Sequence, residues 1–254
     1  MIIDKRQKDI LDAVAEKNYC SVEELSQRIF ASTATVRRDL ISLSKAGLIK
    51  RVRGGASVIS PTRGEISDVV RKQTNVTEKK RIAVACLPFV KEGESYFFDS
   101  STTVSKLIPL LKGFSNITIV TNGFQNAYAL SACASFPCYV AGGSIAPNVS
   151  SATGADTVRF ISGFSCDAFF FSCRGLSLNG ASEGTVEQQR VKAAMLLNSK
   201  KHILLVDKTK FGKDFTVKDA SLDDIDVIVC DEEPSEEYKK AFEEKGIQLI
   251  IADK

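Results

Sequence analysis

Two sets of residues in this 254-residue chain have the types and spacing for chemistry, and both suit an anionic ligand. The first is a carboxylate followed by four hydroxyls, Asp99-Ser100-Ser101-Thr102-Thr103, directly after the apolar run 95–98. Hydroxyls and backbone amides at a helix start form a ready site for phosphate. Similar polar turns follow later apolar runs: Thr121-Asn122-Gly123, Gly142-Gly143-Ser144, Ser172-Cys173-Arg174-Gly175 and Asp207-Lys208-Thr209-Lys210-Phe211-Gly212. Arg174 and Lys210 offer cations to a phosphate, while carboxylates and Asn122 can pair with hydroxyls. The set therefore suits a small, phosphorylated, polyhydroxylated ligand. Taken singly, a Ser-Ser-Thr-Thr turn is as often a plain helix cap; the shared placement after successive strands gives the set its meaning.

The second set is basic. Residues 31–60 carry Arg37, Arg38, Lys45, Lys50, Arg51 and Arg53 against one carboxylate, Asp39, although the whole chain is only +3. Such a concentration attached to a near-neutral body suggests a polyanion contact built from one element.

The elements around the basic set are legible. Val36, Leu40 and Leu43 recur at i, i+4, i+7 behind Ser32, which predicts a capped helix that Gly47 stops. Rotation by 100° per residue puts Ala34, Arg38 and Lys45 opposite that apolar face, with Thr35 and Arg37 on its flanks. Ile10, Leu11 and Val14 predict an earlier helix over 5–17. Ser21-Val22-Glu23-Glu24 reads as a capping box, with Cys20 and Leu25 as its staple, opening a short helix that ends near Phe30. Leu48 to Ile59 reads as two short strands around a Gly54-Gly55 turn, with cations on one side. Three helices and a basic hairpin make a winged helix-turn-helix. Small polar residues at the start of its third helix can approach base edges, and arginines can reach guanines or phosphates. Arg51 and Arg53 can neutralise phosphates. Use of the same module for protein contact, with the arginines in surface ion pairs, is the plainer alternative.

Residues 60–76, from Ser60-Pro61-Thr62-Arg63-Gly64 onward, read as a linker, with a short helix over Glu65 to Lys72. The next helix starts at Thr77, its apolar face formed by Ile82, Ala85, Cys86 and Phe89. Its run Lys79-Lys80-Arg81 reads as a solvated face. From Ser95 the chain alternates strands (95–98, 117–121, 138–141, 167–172, 203–206, 226–230, 247–251) with helices at Thr103–Lys112, Phe124–Ala134, Val186–Ser199 and Ser235–Lys245. Alternation of this kind predicts a mainly parallel sheet covered by helices on both faces, with ligands outside the carboxyl ends of its strands.

Other chemistries find little support. The seven cysteines are odd in number and lack CxxC spacing, and Cys86, Cys166 and Cys230 sit in apolar runs as core residues. A disulfide scaffold and structural zinc are not expected. The single histidine, His202, reads as a strand-edge residue rather than a ligand or base, which weakens any Ser-His or Cys-His nucleophile. No apolar stretch reaches the roughly 18 residues of a membrane span. The start, with Asp4-Lys5-Arg6, lacks a signal pattern, so a cytoplasmic protein is expected.

A resemblance gathers these readings. Ser32-Thr33-Ala34-Thr35-Val36-Arg37-Arg38-Asp39-Leu40, then Leu43, Gly47 and Arg51-Val52-Arg53-Gly54-Gly55-Ala56, resemble the DNA-binding signature of DeoR-type bacterial transcription regulators over residues 5–57. The resemblance implies operator contacts at Ser32, Thr33, Thr35, Arg37 and Arg38, joined by Lys45, Arg51 and Arg53. Asp39 is expected to pair with a neighbouring arginine and fix its rotamer. The rest resembles the effector domain of the same regulators, which is similar in fold to ribose-5-phosphate isomerase. Its matching residues are Asp99-Ser100-Ser101-Thr102-Thr103, Thr121-Asn122-Gly123, Gly142-Gly143, Gly175, Glu187 with Lys192, and Asp207 through Gly212. The likeness runs through roughly residues 5–250 and implies a phosphate on residues 100–103 with Lys210 as countercharge. Glu187 and Arg174 stand at the sugar end. Many members have glycine where this chain has Ser101, so ligand identity does not transfer from them.

The expectation is an α/β protein of three parts: a winged helix-turn-helix over 1–59, a linker over 60–76, and a mainly parallel sensor domain over 77–254. It is expected to repress a sugar or polyol utilisation operon, its affinity for double-stranded operator DNA set by a phosphorylated sugar or polyol. A homo-oligomer, dimer or tetramer, is expected because one winged helix reads only a half-site. No metal, cofactor or membrane contact is expected. The alternatives are a sugar-phosphate isomerase-like enzyme bearing a DNA-binding head, with Glu187 and Asp99 as its carboxylates, and a DNA-binding protein with a vestigial pocket.

Overall fold

The computed structural model describes residues 4–17, 19–57, 68–145 and 150–253. The chain divides into two compact units, Met1–Gln73 and Thr74–Lys254.

In the first unit, helix α1 (Lys5–Lys17) is followed by strand β1 (Tyr19–Ser21), α2 (Val22–Arg28) and α3 (Thr33–Lys45). Strands β2 (Lys50–Val52) and β3 (Gly55–Ser57) and helix α4 (Asp68–Gln73) complete it. The Ser21 hydroxyl accepts from the Glu24 amide at 3.1 Å and the Glu24 carboxylate accepts from the Ser21 amide at 2.9 Å, the reciprocal box its sequence predicts. Ser32 caps α3 by accepting from the Thr35 amide, and Gly47 takes the left-handed φ of +68° just past the helix end. Val36, Leu40 and Leu43 close on Ile10, Val14 and Leu25 in one core. The wing has three strands rather than two, in the order β1-β3-β2. Gly55 lies inside β3 and not in the turn, because a Cβ there would stand 2.2 Å from the Cys20 carbonyl of β1. The turn is therefore Arg53-Gly54. The wing residues Val58 and Ile59 and the linker residues 60–67 lie outside the described residues.

The second unit is built on a seven-stranded sheet. Its strands are β4 (Ser95–Phe98), β5 (Thr118–Thr121), β6 (Cys138–Val140), β9 (Cys166–Phe171), β12 (Ser199–Val206), β14 (Val227–Cys230) and β15 (Gln248–Ile251). The order is β15-β14-β12-β9-β4-β5-β6 and every pairing is parallel. Helices α5 (Val76–Cys86), α6 (Phe124–Cys133), α7 (Ala155–Ile161), α8 (Val186–Leu197) and α9 (Glu236–Glu244) belong to this unit. Side chains alternate between two cores: Phe97, Phe169 and Phe171 in one, Tyr96, Phe98 and Phe170 in the other. Edge-on contacts such as Phe98–Phe170, 5.4 Å between centroids, lock neighbouring strands together. Two smaller antiparallel sheets accompany it: β7 (Ser144–Ile145) with β8 (Ala152–Thr153), and β10 (Gly175–Ser177), β11 (Gly180–Glu183) and β13 (Val217–Ala220) in the order β10-β11-β13. Their strands are too short to signal themselves by alternation.

Several expectations need correction. The helix expected over Thr103–Lys112 is two 3-10 turns, Val104–Lys106 and Ile108–Leu111, with Pro109 denying an amide to a longer helix. The run Lys79-Lys80-Arg81 is not a solvated face. Lys79 is buried and donates to the Thr74 carbonyl at 2.8 Å, and Arg81 donates to the carbonyls of Asp231 and Ala252. Only Lys80 is exposed. His202 lies on β12, an interior strand, with both ring nitrogens against carbonyls: Asp224 at 2.6 Å, Leu196 at 3.0 Å and Ser199 at 3.3 Å. The cysteines are free, and Cys86, Cys166 and Cys230 are buried.

Candidate nucleic-acid interface and sensor site

On the first unit, α3 presents the residues expected of it. Ser32, Thr33, Ala34, Arg37, Arg38 and Lys45 are exposed, Thr35 is half-buried, and Val36, Leu40 and Leu43 face inward. The Ser32 and Thr35 hydroxyls lie 2.9 Å apart, so both belong to the cap as well as to the surface. Arg51 in β2 and Arg53 in the turn are exposed. Asp39 departs from expectation: its carboxylate is buried and accepts from Arg6 of α1, Nε at 2.6 Å and Nη2 at 3.3 Å. The partner is 33 residues away because position 39 lies on the inward edge of α3, facing α1. This pairing ties two helices together and leaves Arg37 and Arg38 without a carboxylate among the described residues. The Arg6 guanidinium is held above its ordinary pKa by that hydrogen bond and the Asp39 charge.

In the second unit the sheet order brings the candidate residues into view. From β4 the chain moves outward through β5 and β6, then returns to the other side of β4 for β9, β12, β14 and β15. The crevice beyond the carboxyl ends of β4 and β9 is thus the switch point where open parallel sheets bind ligands. Asp99 ends β4 there. Its carboxylate accepts from the Ser101 amide at 2.8 Å and the Ser172 amide at 3.0 Å, so one side chain joins the turns after both strands. Gly123, after β5, packs against the same turn; a Cβ on it would lie 2.9 Å from the Ser100 Cα. Asn126 of α6 donates to the Asp99 carbonyl at 2.6 Å, and the Thr121 hydroxyl accepts from the Gly123 amide at 3.0 Å. Asn122 donates to the Ala152 carbonyl at 3.0 Å. The Oδ1 atoms of Asn122 and Asn126 are buried with no partner.

Behind Asp99 lies a charge cluster that sequence reasoning did not assemble. Lys192 of α8 is buried, with Nζ 3.0 Å from Asp219 Oδ2, 2.5 Å from Glu183 Oε1 and 3.7 Å from Asp99 Oδ2; it also donates to the Ser172 carbonyl. Glu183 and Asp219 come from β11 and β13, so the ammonium ties the antiparallel sheet to the rim of the parallel one. Burial alone would lower the lysine's pKa, but Asp219, Glu183 and Asp99 outweigh it and hold the group cationic. Burial pushes Asp219 up to about 7 against the pull of Lys192, with Glu183 adding to the rise. Asp99 is raised by burial as well. One signal was available: Gln188, Lys192 and Met195, at i, i+4, i+7, share the buried face of α8, so two polar residues stand where apolar ones belong. No comparable signal marks Glu183 or Asp219.

The remaining candidates fall into two groups. Arg174 is buried over the Phe215 ring at 5.1 Å, and Gly184 leaves room for it, since a Cβ there would stand 2.2 Å from its Nη1. Gly175 passes under Lys213, whose carbonyl would lie 2.4 Å from a Cβ at 175. Lys210 closes a 3-10 turn capped by Asp207, and its charge reaches the buried Cys173 thiol, as do those of Lys192, Glu183 and Asp219. Burial pushes that thiol up to about 12. Other candidates stand apart. Gly142 and Gly143 are exposed and meet α7 instead, the Thr157 hydroxyl donating to the Gly142 carbonyl at 2.7 Å. Glu187 is exposed and lines a groove of about 510 Å³ between α7 and α8, with Val158, Arg190 and Leu197. Among the described residues no group of His, Cys, Asp and Glu is arranged to hold a metal ion, and no helix is long and apolar enough to cross a membrane.

Comparison with known proteins matches both units. Residues 6–62 match the DeoR-like helix-turn-helix domain, and residues 74–232 match the DeoR C terminal sensor domain. The chain belongs to the DeoR family. It is similar to the glycerol-3-phosphate regulon repressor of Escherichia coli K12, 31% identical over 97% of this chain and 98% of that one. The HTH-type transcriptional regulator GolR of Listeria innocua serovar 6a is 27% identical, covering 98% of each chain. Among solved structures, ribose 5-phosphate isomerase A from Methanocaldococcus jannaschii is similar over 54% of this chain and 55% of that one, at 14% identity and a TM-score of 0.41. This DeoR-family chain is a DNA-binding transcriptional regulator whose helix-turn-helix unit is followed by an α/β sensor domain with a mainly parallel sheet.

Proposed function

We propose that the protein represses genes for use of a sugar or polyol and that a phosphorylated sugar or polyol changes its grip on the operator. The observation that carries the first half is the free cationic surface: Arg37, Arg38, Lys45, Arg51 and Arg53 are exposed beside Ser32, Thr33 and Thr35, with no carboxylate partner among the described residues. A duplex supplies the missing anions, and the first turn of α3 meets base edges. Two copies reading symmetric half-sites give the required affinity, so the working form is a dimer or tetramer.

For the second half, the phosphate rests on the turn Ser100-Ser101-Thr102-Thr103, where the Ser100 and Thr103 amides have no acceptor among the described residues. Because a 3-10 turn follows, amides and hydroxyls do this without a long helix dipole. Lys210 and Arg174 supply countercharge, and Asn122 accepts from a ligand hydroxyl. The relatives named for the glycerol-3-phosphate regulon support a phosphorylated polyol as the class. Binding without turnover is the reading, because Lys192 engages the buried carboxylates of Asp99, Glu183 and Asp219. The coupling it requires between ligand and operator is on the order of 1–3 kcal/mol. The cytoplasm holds both partners.

An anisotropy titration of the full chain tests this, using a labelled duplex from upstream of its own gene at fixed salt. It is run with and without glycerol 3-phosphate, ribose 5-phosphate and fructose 6-phosphate. Specific binding that shifts at least fivefold with one of them is expected. Specific binding indifferent to every phosphorylated sugar or polyol would remove the sensor half of the proposal.

A further inference from the structure

Phe30 forms the corner between α2 and α3, and two of its properties work against the free protein. Its φ is +53°, a left-handed backbone that is unfavourable for any residue carrying a Cβ. Its side chain is 96% exposed, the most exposed of the large apolar side chains among the described residues. The backbone conformation closes α2, but the ring, at 96% exposure, adds no packing to the unit among the described residues. The corner itself is fixed by other groups. The Ile29 amide donates to Leu25 at 3.0 Å, the Ala31 amide to the Ser26 carbonyl at 3.1 Å, and the Ser26 hydroxyl to the Ala31 carbonyl at 2.5 Å. A glycine would take this corner without strain. Folding requires the turn but not the ring, and a solvent-facing aromatic in its place is a feature that a binding partner explains.

The position says which partner. Phe30 is two residues before Ser32, the cap of α3, so its Cα lies within about 7.6 Å of the Ser32 Cα. Phe30 therefore stands beside the first turn of α3, the turn that carries Thr33 and Thr35. The surrounding exposed side chains include Arg37 and Arg38, a setting that favours a polyanion over an apolar protein surface. We infer that Phe30 is an apolar contact to the operator duplex, its ring laid against thymine methyl groups at the edge of the major groove. Thymine methyls are the apolar feature that a major groove offers, and phenylalanine is among the residues suited to them. The contact adds sequence preference to the arginines' charge without neutralising a phosphate. It rests on operator binding by α3, which the experiment checks separately.

The test uses the full chain and a duplex selected from random DNA by the wild-type protein. Phe30→Ala removes the ring and keeps the strained Cβ; Phe30→Gly removes both. Each is expected to weaken binding to the selected duplex roughly fivefold to tenfold. The slope of affinity against salt should match the wild type, because no phosphate contact is lost. The thermal midpoint of the N-terminal unit should rise by roughly 2–4 °C in Phe30→Gly and stay put in Phe30→Ala. Replacing dT by dU in the duplex should weaken the wild type and leave Phe30→Ala unchanged. Wild-type affinity in both variants, or an equal dU effect on wild type and Phe30→Ala, overturns the inference while leaving DNA binding intact. Failure of the wild type to select any duplex overturns DNA binding by α3 itself, and this contact with it.

Discussion

The two units treat charge in opposite ways. Around α3 and the wing, cations are in excess, exposed and without carboxylate partners among the described residues; one partly buried ion pair of that unit, Arg6–Asp39, joins α1 to α3. In the crevice of the sensor unit, carboxylates are in excess and buried, three of them around one lysine. Exposed cations cost the free protein little and are screened by salt, so they are available to a partner with many phosphates. Buried charges are costly unless paired with good geometry, so they fix positions. One surface is built to be completed by an outside partner, the other to hold its own turns in place.

The largest effect should come from removing the buried ammonium. Lys192→Met leaves Asp99, Glu183 and Asp219 buried together without a cation, and breaking such a set costs roughly 3–5 kcal/mol. The sensor unit's thermal transition should fall steeply, while the transition of the first unit stays in place. A loss below about 1 kcal/mol would mean that water reaches the cluster and that the contrast between the units is one of degree. Next in size is Arg38→Ala, expected to weaken specific operator binding by about 1–3 kcal/mol with the fold unchanged. Its thermal midpoint should match the wild type, since the guanidinium has no carboxylate partner to lose among the described residues.

These two residues also show how far the sequence could be read. Arg38 was legible because helical rotation from Val36, Leu40 and Leu43 fixes which side chains face out, and that geometry is local. The caps at Ser21 and Ser32 were legible for the same reason. Asp39 shows the limit: it was expected to pair with a neighbouring arginine, but its partner Arg6 lies 33 residues back. Asp99 and Asn122 were found because they follow strands. The Lys192 cluster was not, since it is assembled from β4, α8, β11 and β13, and a two- to four-residue strand carries no periodicity to place Glu183 or Asp219. Thr103–Lys112 failed differently, its apolar spacing suiting a helix that Pro109 interrupts.

A third prediction separates the two surfaces by ligand. Thr102→Glu puts a carboxylate on the turn assigned to phosphate, and calorimetry with the effective sugar phosphate should show affinity reduced at least tenfold, about 1.4 kcal/mol. Operator binding without ligand should not change. Undiminished ligand affinity would move the phosphate away from residues 100–103.

The smallest effect tests whether the cluster's excess carboxylate carries a proton. Asp219 has its folded pKa raised to about 7 from an ordinary 3.8, by burial first, with Lys192 opposing and Glu183 and Asp99 adding. Between those two values the folded form binds the proton and the unfolded form does not, so ionising Asp219 costs stability as pH rises from about 4 to 7. Asp219→Asn removes that group and keeps its size. The midpoint of the variant relative to the wild type should therefore climb as pH rises towards 7, by on the order of 1 kcal/mol between pH 6 and 7.5, and then level off. Asp99, also raised by burial, is present in both proteins and so largely drops out of the difference. Lys192, held cationic by the carboxylates around it, stays charged throughout the window. A difference that is flat with pH would mean that the three carboxylates are all ionised around one ammonium. In that case the sensor crevice would tolerate uncompensated charge as the α3 surface does, and the contrast between the units would lie in the sign of the charge and not in how it is held.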